Sequence, residues 1–423
     1  MQNLPLRYGE TSLDYSFDER HCSIIDTPPT SGSPLTDAEI GASFDYPIGS
    51  PPLEEILSPG DSVLVVVSDA TRATASAQVV HLLVRRLLQN GISPADIRII
   101  FATGIHRSVT VEEQRKLVTP FVAQRITTLV HDAYDLSVMI DLGTTEIGTP
   151  VQLNPTLKQQ SHVILTGGIN FHYFAGFTGG RKSVCPGLAS VRTIEATHKL
   201  ALDFETAGRR RGVGVARLEG NAVNEECERI ASLIAPSFCV NVIVNETGQA
   251  VQIFSGEWRI AHREGCQQYL QSNSVQIGSC RNLVIASCGG APHDLNFIQA
   301  HKALEMSALA CNEGGEIILI AECRDGVGRP DFLKWFDVTS SAELEARLSN
   351  EYQVNGQTAW SLMTKTERFR IYLVSQLPAE QVKRMNMIPA PTLAAALAQV
   401  DPNEDAYIIP RGAAVLPVVT SSA

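Results

Sequence analysis

Short apolar runs alternate with amphipathic stretches along most of the chain. Positions 62–67 (Ser-Val-Leu-Val-Val-Val) form a nearly unbroken β-branched run, the pattern of a strand buried on both faces. A polar turn follows, then an amphipathic stretch over 78–90 that Gly91 stops, which predicts a helix. Positions 97–102 predict the next strand. Further strand-like runs lie at 162–166, 239–245, 283–287, 316–321, 371–375 and 406–409. Helical patterns lie at 191–202, 224–235, 260–270, 297–311, 342–348 and 392–399. Strands alternating with helices imply parallel sheets covered by helices, an α/β fold class. The polar segment Gln271-Ser-Asn-Ser274 precedes a fresh strand and sets a boundary near 275. The expected architecture is two α/β domains, 1–275 and 276–423, with parallel-type sheets and an active-site cleft between them. Ligands in such sheets bind beyond the carboxyl ends of the strands. The first sixty residues are rich in Pro, Ser and Asp and read as an irregular lead-in, with room for short strands.

Composition narrows the class. The chain has 423 residues, 44% hydrophobic and 19% charged, which excludes disordered, collagen-like and coiled-coil chains. Thirty-four Lys and Arg against 45 Asp and Glu give a net charge of −11. Without a basic stripe no nucleic-acid partner is expected, and Arg209-Arg210-Arg211 reads as a solvated loop. No apolar run reaches the roughly 18 residues a membrane helix needs, and positions 1–20 lack the apolar centre of a signal peptide. The nine cysteines are odd in number and scattered, with no C-x-x-C pair. They fit reduced thiols in the cytoplasm rather than a disulfide framework or a zinc site.

Four segments carry candidate chemistry, and each follows a predicted strand. In Ser68-Asp69-Ala70-Thr71-Arg72, Asp69 or Thr71 can cap the next helix, while Arg72 can bind a carboxylate in bidentate fashion. Thr103-Gly104-Ile105-His106-Arg107 places a histidine at a strand end, where α/β active sites lie, though a lone histidine there can also be purely structural. The segment 166–183 contains five glycines and ends Thr178-Gly179-Gly180-Arg181-Lys182-Ser183. It imitates a P-loop, but Arg181 stands where that loop needs Gly before the lysine, so a nucleotide triphosphatase is rejected. Pro186-Gly187 then turns the chain into a helix bearing His198. Last, Gly289-Gly290-Ala291-Pro292-His293-Asp294 leads into a helix with Gln299 and Lys302. These two are at i and i+3 and share one face, which taken alone is equally a solvated face.

Together the segments resemble the nickel-pincer lactate racemase family. The matching pieces are Asp69-x-Thr-Arg72, Gly104-x-His106-Arg107, His172-x5-Thr178-Gly-Gly-Arg-Lys182-Ser183, Pro186-Gly187, Thr193-Ile194 with His198, and Gly289-Gly290-x-Pro292-x-Asp294 with Gln299 and Lys302. They span 69–302, and the set as a whole, rather than any one member, carries the likeness. The resemblance implies a cofactor, nickel held in a pyridinium bis-thiocarboxylate mononucleotide. It implies that Lys182 tethers this group through a thioamide and that His198 ligates the nickel. Gly179, Gly180, Arg181 and Ser183 would line the cofactor loop. Asp69 and the amides around Thr71 would serve its phosphate end or orient Arg72. His106 and His172 resemble the paired acid/base histidines. Arg72 and Lys302 would hold the substrate carboxylate, with Gln299 adding a hydrogen bond. One departure stands out: Ile298 precedes Gln299 where lactate-specific members have Tyr, which suggests a different substrate side chain.

The implied reaction inverts the α-carbon of a 2-hydroxy acid. One histidine takes the hydroxyl proton while hydride moves to the pincer carbon. The flat 2-keto acid turns, hydride returns to its other face, and the second histidine supplies the proton. The expected small-molecule partner is thus a 2-hydroxy acid such as malate, phenyllactate, a short aliphatic acid or a sugar acid. Cofactor-biosynthesis proteins are further candidate partners. Two rival readings remain: a nicotinamide-dependent 2-hydroxy-acid dehydrogenase, which the missing G-x-G-x-x-G disfavours, and a cofactor-binding protein of similar fold without turnover.

Overall fold

Val63 to Val67 are wholly buried, and that two-sided burial is why the run is so uniformly apolar. In the computed structural model, which describes residues 2–27 and 33–420, they form an inner strand, Val63–Ser68, of a six-stranded sheet. The sheet order is Ala250–Gly256, Phe238–Val244, His162–Gly168, Val63–Ser68, Ile97–Ala102 and Thr127–Val130. All neighbours are parallel except the Ala250–Gly256 edge strand. Val63 lies opposite Ile97 on one side and His162 on the other. The carboxyl ends of three adjacent strands therefore emerge together, at Ser68, Ala102 and Gly168. The helix Ser76–Gln89 packs Val79, Val80, Leu83, Val84 and Leu87 onto this sheet.

A second six-stranded sheet runs Ile388–Ala390, Arg370–Val374, Cys311–Ile320, Arg281–Ser287, Ala406–Ile409 and Cys22–Ile24, parallel throughout. Phe297, Phe332 and Trp335 fill one side of it. Leu6 and Phe17, from an antiparallel hairpin of Gln2–Tyr8 and Thr11–Phe17, join the core on the other. The lead-in is thus ordered where described, and the part at 28–32 lies outside the described residues.

The chain divides into two compact units. One gathers Met1–Thr27, Leu202–Arg209 and Ser272–Ala423; the other gathers Pro28–Ala201 and Arg210–Gln271. The expected division at 275/276 differs from this in two places. The amino-terminal strands join the carboxy-terminal sheet, because Cys22–Ile24 pairs with Ala406–Ile409. The short Leu202–Arg209 segment also changes units. There Gly208 N–H donates to Glu345 at 2.8 Å, and Arg209 reaches Ser361 at 3.0 Å and Glu305 at 3.4 Å. Arg209 is therefore an anchored, half-buried residue rather than part of a solvated loop.

Buried histidines make the fold acid-sensitive. Burial pushes His262 down to about 3 and His301 down to about 4, with nearby Arg181 helping at His262 and Glu305 opposing at His301. Both are depressed below the value of about 6.5 that an unfolded imidazole has. Below that pH the unfolded chain binds protons the native chain cannot, so stability is full above about 6.5 and falls as the pH drops towards 4. Calorimetry should find a lower Tm at pH 4.5 than at pH 7.5; an unchanged Tm would contradict the burial of these rings.

Candidate active site

The three adjacent strand ends build the site. After Ser68 the chain folds back on itself: Thr71 donates through both its backbone N–H (2.8 Å) and its hydroxyl to Asp69 Oδ1, and Arg72 N–H donates to the Asp69 carbonyl. After Ala102 a tight turn, closed by His106 N–H to the Thr103 carbonyl, presents His106. Asp69 Oδ2 lies 2.8 Å from His106 Nδ1. Burial alone would raise the Asp69 pKa, but the hydrogen bond and charge of His106, with Arg72 and Thr71, outweigh it and hold the carboxyl well below the usual range. Asp69 thus engages His106 and Thr71, with the Arg72 charge close by.

After Gly168 comes a small hairpin, Phe171–His172 against Ala175–Phe177, and then the glycine turn that carries Lys182. Gly180 has φ +52°, and a Cβ there would fall 2.6 Å from the His262 ring, so only glycine fits. Gly180 N–H donates to Asn241 Oδ1 at 2.9 Å. Arg181 is buried, and its guanidinium donates to the carbonyls of Ala175 and Phe177 and lies 3.1 Å from His262 Nε2. Ser183 donates to the Thr166 carbonyl. Arg181 and Ser183 thus shape the loop from beneath. The half-buried Lys182 carries its ammonium 5.8 Å from the Phe174 ring centre. Gly187 N–H donates to the Lys182 carbonyl, and Gly104 N–H to the Gly187 carbonyl, which ties the His106 turn to the lysine loop.

Phe174 is the hub. Its ring meets His172 edge-on at 4.5 Å and His198 at 5.1 Å. His198 stands in the last turn of Val191–Lys199, capped by Ser190. Burial, and then the Lys182 charge, push its pKa down to about 3, so the ring is neutral. The Ile194 carbonyl accepts a hydrogen bond from the ring. A neutral imidazole is a good nickel donor. Among the described residues no group of three or more His, Cys, Asp or Glu gathers as a metal cage. A single imidazole beside a lysine fits a metal that arrives with its remaining donors on an organic carrier.

In the other unit, Asp294 accepts from the backbone N–H of Gly9 (2.7 Å) and Glu322 (3.1 Å) and so fixes the Gly289–Asp294 loop. Asn296 caps the helix Phe297–Ser307. Ile298, Gln299 and Lys302 are half-buried on it, and Lys302 donates to Gln299 Oε1 at 2.5 Å. His293 is within reach of the Lys302 charge, which adds to burial in lowering its pKa to about 4. Sequence reasoning missed Asn241 and His262, and gave no role to Phe174 and His293, which lie inside two of the segments it singled out. Asn241 had a signal, since it interrupts an otherwise apolar strand.

Comparison with known proteins bears on identity. Residues 8–208 match the lactate racemase N-terminal domain, and residues 278–417 match the lactate racemase C-terminal domain. A lactate racemase of Thermoanaerobacterium thermosaccharolyticum is 29% identical over 98% of this chain and 99% of that protein. One of Lactiplantibacillus plantarum is 31% identical over 78% of this chain and 77% of that protein. The apoprotein structure of the T. thermosaccharolyticum lactate racemase superposes with a TM-score of 0.87 at 26% identity, covering 99% of this chain and all of that one. A Thermotoga maritima protein shares the fold, with a TM-score of 0.69 at 19% identity over 92% and 99% of the two chains. The dehydrogenase and non-catalytic readings give way: the chain belongs to the lactate racemase family and is an isomerase of the racemase class.

Proposed function

We propose that this racemase inverts the α-carbon of a 2-hydroxy acid other than lactate, working with a nickel-pincer nucleotide tethered to Lys182. The observation that supports it most is the pairing of a buried neutral His198 with Lys182 around Phe174. When bound, held by Lys182 and His198, the group would supply a hydride acceptor and donor for the α-carbon. His198 is the protein's donor to the metal. His106, oriented by Asp69, takes the hydroxyl proton at Nε2, and His172 serves the opposite face. Arg72 and Lys302 hold the substrate carboxylate, Lys302 with Gln299 beside it. Ile298 in place of Tyr changes the pocket by about 1–3 kcal/mol in selectivity. The nine free thiols suit the cytoplasm.

The test is a chiral assay of enantiopure malate, phenyllactate, short aliphatic and sugar 2-hydroxy acids with cofactor-loaded protein, with lactate as comparison. At least one acid should racemise or epimerise faster than lactate. Lactate as the best substrate would refute the specificity claim, and no conversion of any acid would refute the reaction.

A further inference from the structure

Both histidines present Nδ1 to the chain around them, but to partners of opposite kind, an acceptor at His106 and a donor at His172. At His106, Nδ1 faces the buried Asp69 carboxylate at 2.8 Å. An ionised carboxylate can only accept, so Nδ1 carries a proton, and whenever the ring is neutral Nε2 is bare. At His172 the partner is the backbone N–H of Ala175, 3.3 Å from Nδ1. A peptide N–H can only donate, so here Nδ1 is bare and the neutral ring carries its proton on Nε2. The hairpin enforces this. His172 pairs with Gly176 and Phe171 with Phe177, so the turn between them brings Ala175 back to the ring. The His172 ring is buried, stacked on Tyr173 at 5.6 Å and met edge-on by Phe174 at 4.5 Å, which keeps it in one orientation.

We propose that His106 and His172 rest in opposite tautomers, so that the resting protein holds one ready proton acceptor and one hydrogen-bond donor rather than two equivalent bases. This rests on the acid/base reading above and deepens it. A hydroxyl beside His106 meets a bare Nε2 and can pass its proton there. An oxygen beside His172 meets an N–H and is held. For His172 to accept a proton at Nε2, solvent water must take the proton from Nε2 and return one to Nδ1, and Ala175 must be released; the ring is neutral before and after that exchange. The enantiomer whose hydroxyl faces His172 is therefore bound in a tighter but unready state. Enantiomers have equal free energy in solution, so their kcat/KM values are equal. The His172-side enantiomer then shows a kcat and a KM both lower by the same factor, about fivefold for one hydrogen bond to be broken.

The tautomers are read directly by long-range proton–nitrogen NMR on cofactor-free protein carrying 15N-histidine, with His106→Gln and His172→Gln assigning the signals. The expected result is protonated Nδ1 at His106 and protonated Nε2 at His172. The same tautomer at both, or a mixture at His172, would overturn the proposal. Asp69→Asn, whose amide can donate to Nδ1, should move His106 to the Nε2 form; no change would remove Asp69 as the cause. In loaded enzyme the two enantiomers should differ in kcat and KM in parallel, and equal kcat values would refute the kinetic consequence. Loaded wild-type protein without any racemisation would strike the functional reading instead, and leave the NMR result standing.

Discussion

Replacing His106 with alanine should lower racemisation by about 10²- to 10⁴-fold, the span that a positioned acid/base group contributes. The expectation follows from how the ring is held. Asp69 is 4% exposed and ionised, and it fixes Nδ1. The remaining nitrogen is thereby aimed away from the protein, with the side chain about a third exposed. Among the described contacts Asp69 holds no other imidazole. The substitution removes no core packing, because the residue sits on a turn beyond Ile97–Ala102 rather than in the sheet. Bound cofactor, measured by intact mass, should therefore stay close to wild type while turnover collapses, and Tm should fall, because the buried Asp69 carboxylate loses its His106 partner. Turnover near the wild-type rate would remove His106 from the reaction.

Replacing Lys182 acts earlier. Lys182→Ala and Lys182→Arg should both yield protein without the covalent adduct and without activity, since a thioamide needs a primary amine and a guanidinium does not supply one. The loop itself should survive either change. Arg181, Asn241 and Ser183 hold it through the carbonyls of Ala175 and Phe177, the Gly180 N–H and the Thr166 carbonyl, and none of these bonds uses the Lys182 side chain. Wild-type Tm with no added mass is the expected pair of observations. An adduct persisting on Lys182→Ala would move the tether to another residue.

Local demands on the chain explain what could be read in advance. Ile97–Ala102 and Ala406–Ile409 fall where the apolar runs place them, because a strand buried on both faces has no room for polar residues. His106, Lys182 and His198 became candidates only as members of the linked set of motifs, since each taken alone reads equally as a structural residue. The amino-terminal hairpin was not, since Pro5 and many polar residues break its alternation and its stability comes from distant partners such as Ile285 and Ile320. Arg209 read as solvated for the same reason: its partner, Glu305, is 96 positions away. The kinked Val111–Ala123 helix was also hidden, because Pro120 interrupts it, although Thr110 and Glu113 form a clear capping box.

The central claim is that the α-hydrogen leaves and returns without meeting solvent. Racemisation of the best enantiopure substrate in heavy water, followed by chiral analysis and proton NMR together, tests it most directly. The account predicts loss of optical purity with the α-hydrogen retained as protium. Deuterium entering the α-position as fast as the chirality is lost would contradict it.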